Sequence, residues 1–149
     1  MENQEKERMK GITDLVVGEN YTHREVVDIF SVQYVGGIRP NKREKYVVVI
    51  STQRMGRERN PYEDSWSDGI LHYTGTGSKG DQDLENPRNA VLSESNQNGY
   101  TIYLLESHNA DEYTYKGMAR LVGDPYTKIE PDKEGNPRRV YKFPLEIIK

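Results

Sequence analysis

The chain has 149 residues, 34% hydrophobic and 30% charged, with a formal net charge of -3; this fits one compact domain and argues against an indiscriminate nucleic-acid binder, which is normally basic. It contains no cysteine, which excludes a disulfide scaffold, a thiol nucleophile and every cysteine zinc site. The longest apolar run, 47–50, is far too short to cross a bilayer, and the charged start MENQEKERMK lacks the apolar stretch of a secretory signal; the chain is therefore expected to be cytoplasmic.

Residues 1–17 read as a charged lead-in and 18–149 as a single domain. Thr22 and Glu25 in the string THRE have the form of a capping box, which opens a short helix through Val26, Val27, Ile29 and Phe30. Gly36 and Gly37 then break the chain. Residues 46–52 (YVVVIST) are rich in β-branched side chains and predict a strand buried on both faces. A polar loop over 53–68 carries Trp66, the only tryptophan. A second strand over 70–74 ends in the glycine-rich 75–80. A short helix begins near Pro87, a residue tolerated in a first turn. Asn98 and Gly99 mark a turn before a strand over 100–105. Strands over 113–122 and 138–148 complete the set, separated by Gly123 to Pro125 and the turn-rich 131–137. Five or six strands and two short helices without regular βα alternation predict an α+β fold built on a strongly bent or barrel-like sheet.

The charge is unevenly placed. Between residues 39 and 59 stand seven basic residues (Arg39, Lys42, Arg43, Lys45, Arg54, Arg57, Arg59) against Glu44 and Glu58. Charge runs are most often solvated surface, but a basic stretch on an acidic chain also suits a polyanion-binding face.

Few arrangements suit catalysis. Residues 75–80 match G-x-G-x-x-G, but no helix opens from them and no βαβ unit surrounds them, so a structural loop is the better reading. His23, His72 and His108 lie far apart, and no lysine has an acid two positions before it. There is no G-x-S-x-G elbow. No catalytic residue, metal or cofactor is expected. Tyr62, Asp64, Trp66, Tyr73 and Thr74 instead gather within thirteen residues. Strand tyrosines usually pack in a core. Two aromatic faces with one carboxylate also suit an extruded base, the rings stacking on it and the acid accepting from a cytosine amine.

The string from Asn60 through Tyr62, Asp64, Tyr73-Thr74-Gly75-Thr76-Gly77 to Gly80-Asp81-Gln82-Asp83-Leu84 resembles the SRA (SET and RING-associated, or YDG) domain, in the bacterial form found in modification-dependent restriction systems. Residues 35–40 and the following strand are similar to the family's entry segment, and Arg88 to Leu92 to its Asn-Arg-Ala-Leu helix. The resemblance runs from about Gly18 to Leu145. It implies a PUA-like curved β-barrel with two or three short flanking helices, and a non-catalytic module that binds double-stranded DNA and flips out 5-methylcytosine or 5-hydroxymethylcytosine. On this resemblance Tyr62 and Tyr73 are the stacking pair, Asp64 meets the Watson–Crick edge, and Thr74 and Trp66 border the base. Val35 fills the gap left in the duplex. Arg39, Lys42, Arg43 and Lys79 contact the DNA backbone. The eukaryotic insertion with its Asn-Lys-Arg finger is nearly absent, and the eponymous Tyr-Asp-Gly stands as Tyr115-Lys116-Gly117.

Two other readings remain open on the sequence. The chain is the reader portion of a modification-dependent endonuclease whose nuclease domain lies elsewhere or on a partner subunit, or it is a PUA-like binder of RNA or a small ligand with its tyrosines in the core.

Overall fold

The computed structural model describes residues 11–53 and 62–148. Most of the lead-in, the basic residues Arg54, Arg57 and Arg59, and Asn60 at the head of the motif string lie outside the described residues.

Among the described residues the chain forms nine strands, three short α-helices and one turn of 3-10 helix (Ile12–Asp14). The strands and α-helices are β1 (Asn20–Tyr21), α1 (His23–Phe30), β2 (Ile38–Asn41), β3 (Tyr46–Thr52), β4 (Ser65–Ser67), β5 (Ile70–Thr74), α2 (Pro87–Ser93), α3 (Ser95–Asn98), β6 (Thr101–Asn109), β7 (Glu112–Leu121), β8 (Tyr126–Pro131) and β9 (Pro137–Ile147). The expected strands are present, and the structure adds four short ones. β1 is a two-residue pairing with β7. β2 is a hairpin partner of β3. β4 falls inside the expected polar loop, and β8 is half of a hairpin with β9. None of the four carries a run of apolar residues for periodicity to detect.

α1 begins as its capping box predicts. The Glu25 N–H donates to the Thr22 hydroxyl (3.1 Å) and the Thr22 N–H to the Glu25 carboxylate (2.9 Å), satisfying two otherwise orphaned donors. Its buried face is Val26, Val27 and Phe30. α2 starts at Pro87 behind Asn86, whose side chain accepts from the Arg88 N–H.

β3 is the spine of the molecule. It pairs with β2 on one side and runs parallel to β6 on the other. Alternation sends Val47 and Val49 into one core cluster with Leu71, Tyr73, Leu92, Leu104 and Phe143. Tyr46, Val48 and Ile50 enter a second cluster with Val26, Phe30 and Tyr113. A strand that feeds a core on each face must be apolar throughout, which is why YVVVIST shows no alternation.

The sheet path runs β2-β3-β6-β7-β9-β5-β4. No ladder joins its ends, so the barrel is an open, strongly curved sheet. Side chains bridge the opening. The Tyr73 hydroxyl on β5 donates to the Ile50 carbonyl on β3 (3.1 Å), and the Ser51 hydroxyl on β3 donates to Asp64 (2.7 Å). Between the two ends lies a seam.

Candidate functional site

A cavity of about 320 Å³ occupies this seam. Gly36, Gly37, Arg39, Ile50 and Thr52 line it from the β2–β3 end. Tyr62, Asp64, Tyr73, Gly75 and Thr76 line it from the β4–β5 end, and Tyr113 of β7 completes it. The size lies at the small end of the range for ligand pockets, roughly 300–1,000 Å³.

Asp64 belongs to a short stretch of irregular backbone before β4, so ladder pairing does not hold it. Its carboxyl accepts from the Ser51 hydroxyl on one oxygen and from the Thr74 N–H on the other (2.6 Å), and the Thr74 hydroxyl bonds it as well. Burial pushes its pKa up to about 6 against the opposing pull of those bonds and of Lys142. At neutral pH the group is therefore mostly ionised, an acceptor at the cavity wall. Tyr73 is buried, and burial together with nearby Asp64 holds its hydroxyl well above the ordinary phenol value. Its ring belongs to a core cluster and also lines the cavity.

The glycines at the cavity wall are there for space. A Cβ on Gly37 would overlap the Tyr73 hydroxyl and lie 3.1 Å from the Ile50 carbonyl. Beyond Gly75 the backbone is gripped by two buried amides. Gln82 donates to the Gly75 carbonyl (2.6 Å) and accepts from the Tyr141 N–H (2.9 Å). Asn89 on α2 accepts from the Thr76 N–H (2.8 Å) and donates to the Asp83 carbonyl (2.9 Å). The glycine-rich segment is thus a fixed cavity wall. The N–H groups of Gly75 and Thr76, which a phosphate cradle would leave open, are taken by the Tyr141 carbonyl and by Asn89.

On the opposite wall, four carbonyls of one loop are captured by side chains. Arg39 donates to the Gln33 carbonyl (3.0 Å) and to the Gly36 carbonyl (2.7 Å). Arg88 donates to the Val35 carbonyl (3.3 Å). His23 Nε2 lies 2.8 Å from the Tyr34 carbonyl and 3.1 Å from Arg39 Nη1. These contacts hold the loop, which presents Tyr34 and Val35 outward, Val35 at 70% exposure.

Other expected site residues have partners of their own. Arg39 lines the cavity but is only 5% exposed, and burial lowers its pKa. Its Nε and Nη1 hold the loop carbonyls, a structural role beside the phosphate contact expected of it. Lys42 and Arg43 are exposed but lie in the turn joining β2 to β3, at the Tyr46 end, whereas the cavity opens at the Ile50 end. Lys79 is exposed and paired with Glu134 (3.4 Å). Trp66 does not line the cavity; its indole N–H donates to buried Glu106, and the Lys116 ammonium lies 6.0 Å from its ring centre. Thr74 is buried behind the lining, its N–H on Asp64 and its hydroxyl accepting from Lys142 (2.6 Å).

Sequence reasoning missed Ser51, Tyr113 and Lys142 as site residues. Each belongs to a strand whose residue spacing says nothing of the cavity. Gln82 and Asn89 fell within the motif strings, where their types could have been read as loop anchors. Among the described residues no cluster of His, Asp and Glu is arranged to hold a metal ion, and no helix is long and apolar enough to cross a membrane.

An open curved sheet with a cavity in its seam defines the class, and structural comparison agrees. The sulfur-binding and SRA domains of ScoMcrA, solved with phosphorothioated DNA, match with a TM-score of 0.71 at 18% identity, over 90% of this chain and 40% of that one. The SRA domain of SUVH5, solved with hemi-methylated CG DNA, matches with a TM-score of 0.65 at 21% identity, over 91% of this chain and 90% of that one. SUVH6 of Arabidopsis thaliana matches with a TM-score of 0.61 at 20% identity, over 90% of this chain and 26% of that one. No curated protein sequence matches the chain. The sequence profile of the ScoMcrA-like SRA domain covers residues 17–149, and the chain belongs to that family.

Proposed function

We propose that residues 18–149 are a reader of modified DNA that extrudes a modified cytosine, 5-methylcytosine or 5-hydroxymethylcytosine, into the seam cavity. The observation that carries this reading is Asp64, an ionised carboxyl anchored by Ser51 and Thr74 in one cavity with the rings of Tyr62 and Tyr73. A flipped cytosine offers two faces to aromatic rings and an amine to an acceptor. Extrusion costs a few kcal/mol, and stacking on two rings at roughly 1–3 kcal/mol each offsets it. A 5-methyl group adds only about 0.8 kcal/mol by burial, so discrimination by the methyl alone is modest.

The DNA complexes of ScoMcrA and SUVH5 support DNA as the partner. In this reading the chain itself is not catalytic. It works in the cytoplasm as part of a restriction or defence system, with a nuclease supplied by another domain or subunit. ScoMcrA is described as a type IV phosphorothioation-dependent restriction endonuclease, and the chain spans 28% of that structure. Val35, presented on its ordered loop, fills the gap left in the duplex. Lys42, Arg43 and Lys79 are the candidates for phosphate contact.

The test is a binding titration of one duplex in four forms: unmodified, with a single 5-methylcytosine, with a single 5-hydroxymethylcytosine, and with a single phosphorothioate linkage. Wild type should prefer a modified cytosine. Asp64→Ala should lose about tenfold or more of that preference, the scale of a desolvated amine left without a partner. Asp64→Asn should lose less, because its amide oxygen still accepts. Equal affinity of wild type for the unmodified and both modified-cytosine duplexes would refute the reading. Preference for phosphorothioate alone would move recognition from the base to the backbone.

A further inference from the structure

Lys142 on β9 is only 2% exposed, and a buried ammonium costs several kcal/mol unless its donors are matched. Its contacts are two hydrogen bonds and one ion pair. Nζ forms an ion pair with Glu130 on β8 (2.9 Å), donates to the Thr74 hydroxyl (2.6 Å) and donates to the Glu63 carbonyl (3.0 Å). The Glu130 pair accounts for the charge. The other two bonds reach the two segments that hold the cavity carboxyl: Glu63 immediately precedes Asp64, and Thr74 gives its N–H to Asp64.

The strand register explains why lysine reaches there. Thr74 and Lys142 are direct partners across β5 and β9, so the hydroxyl and the amine share one face of the sheet. Residues 62–64 have no such register. Their placement depends on tethers, and Lys142 supplies one that acts on their backbone, at the Glu63 carbonyl. A buried ion pair is weak evidence of a stabilising role, since apolar replacements are often as stable. A lysine kept here, with two of its three donors on the segments around Asp64, points to positioning.

We propose that Lys142 is a positioning residue that sets the place of the Asp64 carboxyl in the seam cavity through the Glu63 carbonyl and the Thr74 hydroxyl, and thereby the discrimination for modified cytosine. The inference rests on the function proposed above. It makes Lys142 part of the recognition apparatus although it does not line the cavity.

The experiment is a double-mutant cycle read as selectivity, the affinity ratio for one duplex with and without a single 5-methylcytosine. The proteins are wild type, Lys142→Met, Asp64→Ala and the double variant, each checked for folding by circular dichroism and thermal melting. Lys142→Met should reduce selectivity by about five- to tenfold, leave the salt dependence of background binding unchanged, and add less than about twofold in the Asp64→Ala background. A merely structural lysine would give the same loss in both backgrounds, which overturns the proposal. Retained selectivity in folded Lys142→Met also overturns it. If that variant does not fold, Lys142→Met combined with Glu130→Leu takes its place: it removes the buried pair together, leaves no uncompensated charge and keeps both Thr74 bonds to Asp64. It should show the same loss dependent on Asp64, and unchanged selectivity overturns the proposal. Wild type that does not discriminate at all defeats the proposed function itself, a result distinct from failure of the cycle.

Discussion

Ser51 and Asp64 join the two ends of the open sheet: the Ser51 hydroxyl, on β3, donates at 2.7 Å to a carboxyl that stands just before β4. The same carboxyl accepts from Thr74 at the end of β5, so one side chain ties three segments together at the cavity. Desolvating a carboxylate there opposes folding, and this has a measurable consequence.

Asp64 has a folded pKa of about 6 against an ordinary 3.8. The folded state therefore holds the proton more tightly than the unfolded state. Stability conferred by this group is present below about pH 4, falls as the pH rises through about 6, and is fully lost above that. Asp64→Asn removes the titration. Its amide can accept from Thr74 and donate to Ser51, so it should be more stable than wild type at pH 8, by at most about 3 kcal/mol, and similar to it at pH 4. Urea melts of the two proteins at pH 4, 5, 6, 7 and 8 check the sign. The gain in stability should accompany the loss of selectivity, as expected when a site holds a costly group for function.

Gly37→Ala should damage both core and site. Its Cβ would overlap the Tyr73 hydroxyl, and the neighbouring Ile50 carbonyl cannot give way without disturbing β3. Overpacking of this kind costs about 1–3 kcal/mol. Pairing it with Tyr73→Phe, which removes the obstructing hydroxyl, should recover part of the loss. A full, additive loss in the pair would show that Tyr73 is not the obstacle.

The basic residues should separate by salt dependence. Replacing Lys42 and Arg43 with Gln should flatten the slope of log K against log salt by about 0.9 for each phosphate that the protein no longer neutralises. Arg39→Gln should leave the slope alone and instead lower stability and selectivity, because its donors hold the Gln33 and Gly36 carbonyls. A slope changed by Arg39→Gln would mean that the loop opens and releases this arginine to the DNA.

Trp66 is the only tryptophan, and it packs over Glu106 and Lys116 away from the cavity lining. Its fluorescence should change little on saturation with modified duplex. Trp66→Phe should keep the preference for 5-methylcytosine, with a modest loss of stability from the missing bond to Glu106, about 1 kcal/mol. Strong quenching by DNA would bring the β4 edge into the interface.

Local chemistry accounts for what the sequence by itself determined. The capping box of Thr22 and Glu25, the unbroken β-branched run of β3 and the proline start of α2 each depend on neighbours within a few residues, and all three formed as read. Tyr62, Asp64 and Tyr73 were legible as a group because twelve residues of chain and one hairpin bring them to one cavity. The tertiary structure decided the rest. Only the curvature of the sheet brings Ser51 from β3 to Asp64, and only the register of β5 on β9 turns an ordinary lysine into a buried tether. Whether Arg39 faces solvent or holds a loop, and whether Trp66 lines the cavity or stands behind it, depends on which carbonyl or carboxylate lies within hydrogen-bond reach. That is a property of packing between segments distant in sequence, and no spacing of residue types along a strand encodes it.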